Sequence, residues 1–275
     1  MSQAVVSTLE AGSGTFASAL VPHESTPVDG WLWLSYDQLN LSFVNDVEPD
    51  GLHYGVVLIE SSAKGNKRPY HKQKLALLLS SQRHFAIEVQ DTGRPVRYLT
   101  TNGTYADALG EHIDRHGPVH AVVHAELELR KEIQPLVERG NVVLHRHIGW
   151  LTKPSWFEQS VGSNPPFRMD RFYRKVRHET GWLMEMGKPV GGKYSFDSEN
   201  RFPWKGDPLP PEPPQYESDE IDLEVERLVN TEFSSHPGVL DMSQLPTTAE
   251  DIATALAFGM KCMPWFGRYE DAMTD

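Results

Sequence analysis

Short apolar runs alternate with amphipathic stretches between residues 31 and 145, and this alternation restricts the possible folds more than any other feature of the sequence. Runs without polar alternation are typical of strands buried on both faces, as in a parallel sheet covered by helices. The predicted strands are Trp31–Tyr36, Gly55–Glu60, Val96–Leu99, Ala121–Val123 and Val142–His145. We therefore predict an α/β fold, a Rossmann-like parallel sheet of five strands followed by a helical extension.

Helical periodicity fills the segments between these strands. The strongest pattern is Tyr70–Gln90, where apolar side chains recur on one face and Gly93 can adopt the left-handed turn that ends a helix. Further helices are predicted at Tyr105–Arg115, Leu127–Arg139, Met169–Met184, Ile221–Glu232 and Thr248–Lys261. Thr247, three residues before Glu250, predicts a capping box at the start of the last helix.

Changes in composition predict four regions along the chain. Residues 1–28 are rich in Ser, Ala, Thr and Gly and are expected to form a flexible tail. Residues 29–150 form the α/β domain, and residues 151–218 form a connector that contains a basic helix and a proline-rich linker. Residues 219–275 are expected to begin a second, helical domain.

Charge and cysteine content exclude several classes of function. The formal charge of −12 argues against a protein that coats nucleic acid nonspecifically, because that affinity comes from Lys and Arg. Cys262 is the single cysteine, so these residues cannot supply a disulfide framework or four thiolates for an iron–sulfur cluster. We expect no metal site, because His145 and His147 fit ordinary strand-end histidines. No long apolar run or export signal is present, which favours a cytoplasmic protein without a membrane partner.

Two polar segments beyond residue 150 are candidate contacts for nucleic acid. Arg171, Lys175 and His178 lie at helical spacing on one face, with Arg174 and Arg177 beside them. These side chains predict a local positive face that suits phosphate groups. The alternative is a solvated helix surface whose cations pair with nearby acids. The following loop has paired glycines and four polar side chains, Lys193, Asp197, Asn200 and Arg201. These side chains either contact a ligand or pin the connector.

The ends of the first two strands are candidate positions for a small ligand. Asp37 and Gln38 follow the first strand, and Glu60 ends the second. Open α/β sheets bind ligands beyond the carboxyl ends of their strands. The sequence has no glycine-rich phosphate loop, so binding of the dinucleotide type is not supported.

Three blocks, in this order, resemble the photolyase-related family of the cryptochrome/photolyase superfamily, in particular its prokaryotic iron–sulfur (6-4) photolyase type. The resemblance covers nearly all of the sequence after residue 30. The first block comprises Tyr36–Leu39, Val57–Glu60, His71–Lys74 and Arg83–Ala86; the second, which is the most specific, comprises Arg168–Arg177, Gly181–Met184 and Pro189–Arg201; the third is Pro264–Met273.

The resemblance implies a light-dependent DNA-repair flavoprotein, a light-driven carbon–carbon lyase whose partner is damaged DNA. Members have an N-terminal α/β domain that can hold a lumazine antenna and a helical domain that holds FAD and a 4Fe-4S cluster. They run to about twice this length, so no catalytic residue and no cofactor is expected for this chain alone. A separate C-terminal flavin-domain chain is an expected partner.

The resemblance also assigns roles to individual residues. Asp197 and Arg201 match an acid and an arginine that touch damaged bases, and Asp37, Gln38 and Glu60 match the antenna site. The sequence departs from the family pattern near that site, with Tyr36 in place of a glycine and a reduced motif at Ala125–Arg130. Two alternatives stay open: a non-enzymatic module that binds DNA or a chromophore, and a degenerate remnant without a function of its own.

Overall fold

A computed structural model of the protein describes residues 4–8, 14–20, 27–196, 206 and 209–265. For residue 265 it describes the backbone alone. The chain divides into two compact units. The first comprises Met1–His147 and Pro214–Leu256, and the second comprises Ile148–Pro213 and Ala257–Asp275.

A six-stranded, mostly parallel sheet forms the centre of the first unit, in the order β1-β4-β3-β2-β5-β6. Its strands are β1 (Val6–Thr8), β2 (Gly30–Trp33), β3 (Tyr54–Ser61), β4 (Val96–Thr101), β5 (Val119–Val122) and β6 (Val142–His145). Strands β2 to β6 pair in parallel, and β1 joins β4 antiparallel. The predicted α/β class is confirmed, and the structure adds an antiparallel sixth strand that the sequence pattern did not indicate.

The six helices predicted from the sequence lie close to their expected positions. They are α4 (Lys72–Asp91), α5 (Tyr105–His116), α6 (Leu127–Glu138), α8 (Met169–Thr180), α9 (Glu220–Glu232) and α10 (Ala249–Cys262). The structure adds α1 (Thr15–Ala19), α2 (Leu41–Val47), α3 (Ser62–Asn66) and α7 (Pro154–Val161), which were not predicted. The capping box of α10 uses Thr248 and Asp251, one residue later than predicted. None of the described helices combines the length and the apolar character needed to cross a bilayer.

The sheet is buried on both faces, which explains its continuous apolar runs. Leu32 and Val56 pack in one layer with Phe85 of α4, and Trp33 and Val57 pack in the other with side chains of α5 and α6. Alternate side chains of one strand point to opposite faces, so each strand contributes to both layers.

Part of the predicted flexible tail belongs to this unit. Val6–Thr8 pairs with β4 in the register Val6↔Thr101, and Phe16 of α1 is fully buried. The backbone N–H of Phe16 donates to Glu224, which lies on α9 (3.1 Å). A strand this short has no detectable period, and both elements depend on partners that are distant in sequence.

The structure also places residues 214–256 with the sheet, whereas the predicted boundaries put 219–275 in a separate helical domain. The physical reason is an apolar face of α9, Val225, Val229 and Phe233, which packs with Leu75 and Ala76 of α4. The period of α9 predicted an apolar face but could not name the surface that covers it.

A buried arginine connects the sheet with these helices. The guanidinium of Arg83 on α4 donates to both carboxylate oxygens of Glu60 on β3 (3.1 and 3.2 Å) and to Glu224 on α9 (2.9 Å). The Tyr98 hydroxyl on β4 also donates to Glu60 (2.9 Å). Burial alone would lower the pKa of Arg83, but the charges of Glu60 and Glu224 raise it, so the side chain is a permanent cation.

The second unit contains α7, α8 and a small hairpin of β7 (Met184–Glu185) and β8 (Lys188–Pro189). The ring of Phe157 on α7 contacts the rings of Phe167 and Phe172 at centroid distances of 5.3 Å. Helix α8 ends at Thr180, earlier than the predicted Met184, because Gly181 takes a left-handed conformation (φ 71°).

We expect Arg83→Met to lower the free energy of unfolding by about 3–5 kcal/mol, because removing one member of a buried ion pair leaves the other charged and unpaired. Urea denaturation at pH 7 measures the change. Arg115→Met is the matched control, since Arg115 forms an exposed ion pair with Glu111 (2.8 Å) and should cost about 0.5 kcal/mol or less. A loss for Arg83→Met as small as that of the control would contradict the structural role of this pair.

Candidate functional site

The connections of the sheet diverge between β2 and β5. The chain runs from β2 outward to β3 and β4, and then returns to place β5 on the opposite side of β2. Such a switch in strand order leaves a crevice at the carboxyl ends of the two central strands, where open α/β sheets bind ligands. The segments that enter this region are residues 34–38 after β2 and 123–126 after β5.

A relay of three side chains crosses the switch point. The Ser35 hydroxyl donates to Asp37 (2.5 Å) and lies 3.1 Å from Nδ1 of His124. Because Ser35 donates its proton to Asp37, His124 must carry a proton on Nδ1 and donate it to Ser35. Nε2 of His124 is then an acceptor, and it has no hydrogen-bond partner in the described part of the chain.

His124 is fully buried, with its ring 4.5 Å from the ring of Trp33. Burial lowers its pKa to about 4, although the charge of Asp37 acts in the opposite direction. The imidazole is therefore neutral near pH 7. His124 was not singled out from the sequence, although its place just after β5 could have indicated it.

Gln38, a predicted antenna residue, fixes the same turn. Its side chain is 1% exposed. Its amide donates to the carbonyls of Val122 (3.3 Å) and Val123 (3.2 Å) at the end of β5. The structure thus brings Asp37 and Gln38 together, but their polar atoms bond to the protein's own groups.

An ion-pair cluster lies at the same edge of the sheet, where the chain leaves β2, β3 and β5. Lys64 of α3 donates to both oxygens of Glu126 (2.5 and 2.6 Å), and the Tyr36 hydroxyl donates to the same carboxylate (2.5 Å). Partial burial would raise the pKa of Glu126, but the bonds from Lys64 and Tyr36 lower it. This cluster, Lys64–Glu126–Tyr36, joins the loops after β2, β3 and β5.

A cavity of about 250 Å³ lies beside the cluster. Tyr36, Lys64 and Glu126 line one side, and the apolar wall includes Leu78 and Phe233. Glu60 also lines it, but its oxygens accept hydrogen bonds from Arg83 and Tyr98. Of the three predicted antenna residues, only Glu60 reaches the cavity.

The cations of α8 differ in exposure and in pairing. Arg171 and Arg174 are exposed, and neither has a carboxylate partner among the residues that the structure describes. Arg174 lies over the ring of Tyr194 at 4.8 Å, whereas Lys175 pairs with Glu179 at 2.5 Å. Lys175 thus fits the alternative of paired surface charges, whereas phosphate contacts by Arg171 and Arg174 stay a prediction.

Arg177, placed with these cations by the sequence pattern, is instead a structural residue. It is 5% exposed, and its guanidinium donates to the carbonyls of Trp182, Leu183 and Tyr194. These bonds hold the hairpin and the following loop against α8. They also fix Leu183 in a left-handed conformation (φ 54°).

The hairpin turn consists of Met186 and Gly187, with φ values of 47° and 75°. Two consecutive left-handed residues between paired positions Glu185 and Lys188 define a type I′ turn. Asn, Asp or Gly is usual at the first position, and a methionine there costs roughly 1–2 kcal/mol. Met186 is also fully exposed. Its backbone conformation and the contact of its apolar side chain with water are therefore both unfavourable.

Of the predicted loop residues, the structure describes only Lys193, whose Nζ lies 4.7 Å from the ring centre of Phe196. Asp197, Asn200 and Arg201 lie outside the described residues. Charge along the chain is nevertheless uneven. Residues 148–196 contain eight Lys and Arg against four Asp and Glu, in a chain with a net charge of −12.

One group of possible metal ligands occurs in the described residues. The ligand atoms of His84, Asp219 and Asp222 lie within 4.8 Å of one another. Asp219 and Asp222 form the capping box of α9, and His84 lies 2.9 Å from Asp219. Because every carboxylate oxygen here already accepts a hydrogen bond, the group acts as a helix cap and a link between α4 and α9.

Comparisons with known proteins agree with the resemblance in the sequence blocks. The sequence profile of the family described as deoxyribodipyrimidine photo-lyase-related protein matches residues 32–245. A (6-4) photolyase of Agrobacterium fabrum is 30% identical over an alignment of 247 residues that covers 86% of this chain and 49% of the relative. The chain thus spans about half the length of this relative.

Two buried histidines should make the fold sensitive to acid. Burial lowers the pKa of His112 to about 3 and that of His124 to about 4, so the unfolded chain binds more protons below about pH 6.5. Stability is therefore full above pH 6.5 and falls as the pH decreases toward these values. Between pH 7 and pH 5, His112 alone should account for a loss of about 2 kcal/mol.

His112→Leu tests this, because neither ring nitrogen of His112 has a hydrogen-bond partner in the described part of the chain. Urea unfolding at pH 7 and pH 5 should show a smaller loss for the variant than for the wild type. His178→Gln, a change at an exposed position, should leave the loss unchanged. Equal losses in wild type and His112→Leu would exclude His112 as a cause.

Proposed function

Since the chain belongs to the family of deoxyribodipyrimidine photo-lyase-related proteins, we propose that it provides the α/β domain and a DNA-contacting segment of a light-dependent DNA-repair flavoprotein. The substrate is damaged DNA, and the reaction is the light-driven repair of a fused pyrimidine lesion by electron transfer from a flavin. This chain contributes binding and positioning.

The observation that carries the proposal is the local excess of cations in an acidic chain. Arg171 and Arg174 project from α8 without carboxylate partners in the described residues, and exposed arginines are well suited to phosphate oxygens. A strong negative charge elsewhere confines favourable DNA contact to this segment, because like charges repel the backbone.

The cofactors of the family fit this chain to different degrees. A 4Fe-4S cluster held by four cysteines does not fit, because Cys262 is the single cysteine of the sequence. We assign the cluster and the FAD to residues that this chain does not contain, either in a separate polypeptide or in further sequence. Absorbance of the purified chain tests this, and a flavin band in the blue would contradict it.

The cavity favours a second proposal, the binding of a lumazine antenna. Tyr36, Lys64 and Glu126 would offer polar contacts to the edges of a flat ring, and Leu78 and Phe233 would cover its face. The predicted residues Asp37 and Gln38 would act indirectly by fixing the turn after β2, and Glu60 would remain paired with Arg83. Bound lumazine supplies light absorption.

Arg171→Gln/Arg174→Gln should weaken binding of the chain to damaged duplex DNA several-fold. Removing two phosphate contacts should also reduce the slope of log K against log salt by about 1.8. Fluorescence anisotropy with a labelled duplex across a salt series measures both quantities.

The matched control is Lys131→Gln/Arg139→Gln, which removes the same charge from exposed positions at α6. If test and control variants weaken binding equally, net charge and not the face of α8 determines the affinity. If the wild type itself does not bind DNA, the proposal fails and the remnant hypothesis is favoured.

Leu78→Trp should prevent lumazine binding, because the larger side chain fills the cavity from α4. Binding is measured as the change in lumazine fluorescence on titration with protein. Leu52→Trp, at an exposed position away from the cavity lining, should bind as the wild type does. Lumazine binding that survives Leu78→Trp would place the ligand elsewhere.

A further inference from the structure

The hairpin of the second unit presents an apolar tip that packing does not explain. Met186 is 103% exposed, and Trp182 and Leu183 are 61% and 64% exposed. Isolated apolar side chains on a surface are normal, but three within five residues are not. The guanidinium of Arg177 donates to the backbone carbonyls of Trp182 and Leu183 and so fixes the chain that leads into the hairpin.

Two left-handed non-glycine residues add to this observation. Leu183 and Met186 both have positive φ (54° and 47°), which β-hairpins usually reserve for Gly, Asn or Asp. An asparagine at position 186 would fit the backbone angles of the type I′ turn and would expose a polar side chain to water. The side chain that occurs there is suited instead to an apolar contact outside the unit. Breaks in local sequence preference of this kind are expected at functional sites.

The cations of the hairpin and of α8 favour a polyanionic partner. Lys188 follows the turn directly, and Arg171 and Arg174 lie on the helix to which Arg177 attaches the hairpin. None of these three cations has a carboxylate partner in the part of the chain that the structure describes. An apolar protein surface would not need flanking cations, whereas a polyanion with an apolar interior does. Duplex DNA has phosphates outside and stacked bases inside.

Proteins that combine phosphate contacts with an exposed Met, Leu or Phe can insert that side chain between base pairs and unstack them. We infer that Met186, supported by Leu183, is a wedge that enters the base stack of duplex DNA while Lys188, Arg171 and Arg174 bind the adjacent phosphates. This inference rests on the proposed DNA contact and extends it from charge to base unstacking. Glu185, the acid beside the turn, opposes the approach of DNA.

Met186→Asn tests the wedge without destabilising the turn. The substitution creates the Asn-Gly sequence that type I′ turns prefer, so the melting temperature should stay equal or rise. Binding of the full chain to a duplex should weaken by about tenfold, because the apolar contact with the bases is lost. A duplex that contains 2-aminopurine reports unstacking directly, and its fluorescence increase on binding should largely disappear.

Val239→Asn is the matched control, because Val239 is 84% exposed in the first unit and should change neither quantity. Glu185→Gln should strengthen binding several-fold, since it removes the one acid next to the turn. The wild type should also prefer a duplex with an abasic site, where less unstacking is needed, and Met186→Asn should lose this preference.

The outcomes distinguish the wedge from the proposed function. If Arg171→Gln/Arg174→Gln weakens binding but Met186→Asn does not, DNA contact stands and the wedge is excluded. If the wild type does not bind DNA, both fail. If Met186→Asn leaves DNA binding unchanged and instead abolishes self-association in sedimentation, the tip is a protein contact and the inference is overturned.

Discussion

A guanidinium buried between a sheet and two helices must find carboxylates, because an unpaired charge there would cost several kcal/mol. Arg83 finds them on β3 and on α9, which lie 23 and 141 residues away. The bond between Glu224 and the backbone of Phe16 extends the connection to α1. The hydrogen bonds of Arg83 and of its partner Glu224 therefore connect α1, β3, α4 and α9, which come from the beginning, middle and end of the first unit. Glu60, which resemblance assigned to an antenna, is occupied by this network and contributes to the cavity mainly as a wall.

The switch point between β2 and β5 is a common ligand position in open α/β sheets, but here its polar side chains bond to one another or to backbone carbonyls. At this edge of the sheet, Lys64 and Glu126 form an ion pair, and the Ser35 hydroxyl connects Asp37 with His124. Lys64, Glu126 and Tyr36, which line the cavity, are hydrogen-bonded to one another, and the acceptor nitrogen of His124 is buried and does not line it. Recognition in the adjacent cavity would rest more on shape and apolar contact than on new ion pairs.

The second unit achieves its order differently, since α7 contributes no buried residue. Besides the ring contacts of Phe157 with Phe167 and Phe172, the buried Arg177 bonds to three carbonyls and so fixes the segments that flank the hairpin. The same helix, α8, therefore has two kinds of arginine: one that holds the backbone and others that face solvent. The exposed cations of the proposed DNA contact and the exposed apolar tip therefore both lie in one short segment, residues 171–188.

The fold class could be predicted from the sequence, because short apolar runs such as Gly55–Glu60 alternate with amphipathic helical segments, as in a sheet covered on both faces. The same periodicity located the long helix α4. The sequence also determined that one cysteine, Cys262, cannot hold a four-cysteine cluster. Three features became apparent from the folded chain alone: α9 packs on α4 in the unit that contains the sheet, Arg177 is buried, and Gln38 bonds to the end of β5. Periodicity describes a side chain relative to its own element, whereas these roles depend on partners that folding brings together from distant positions.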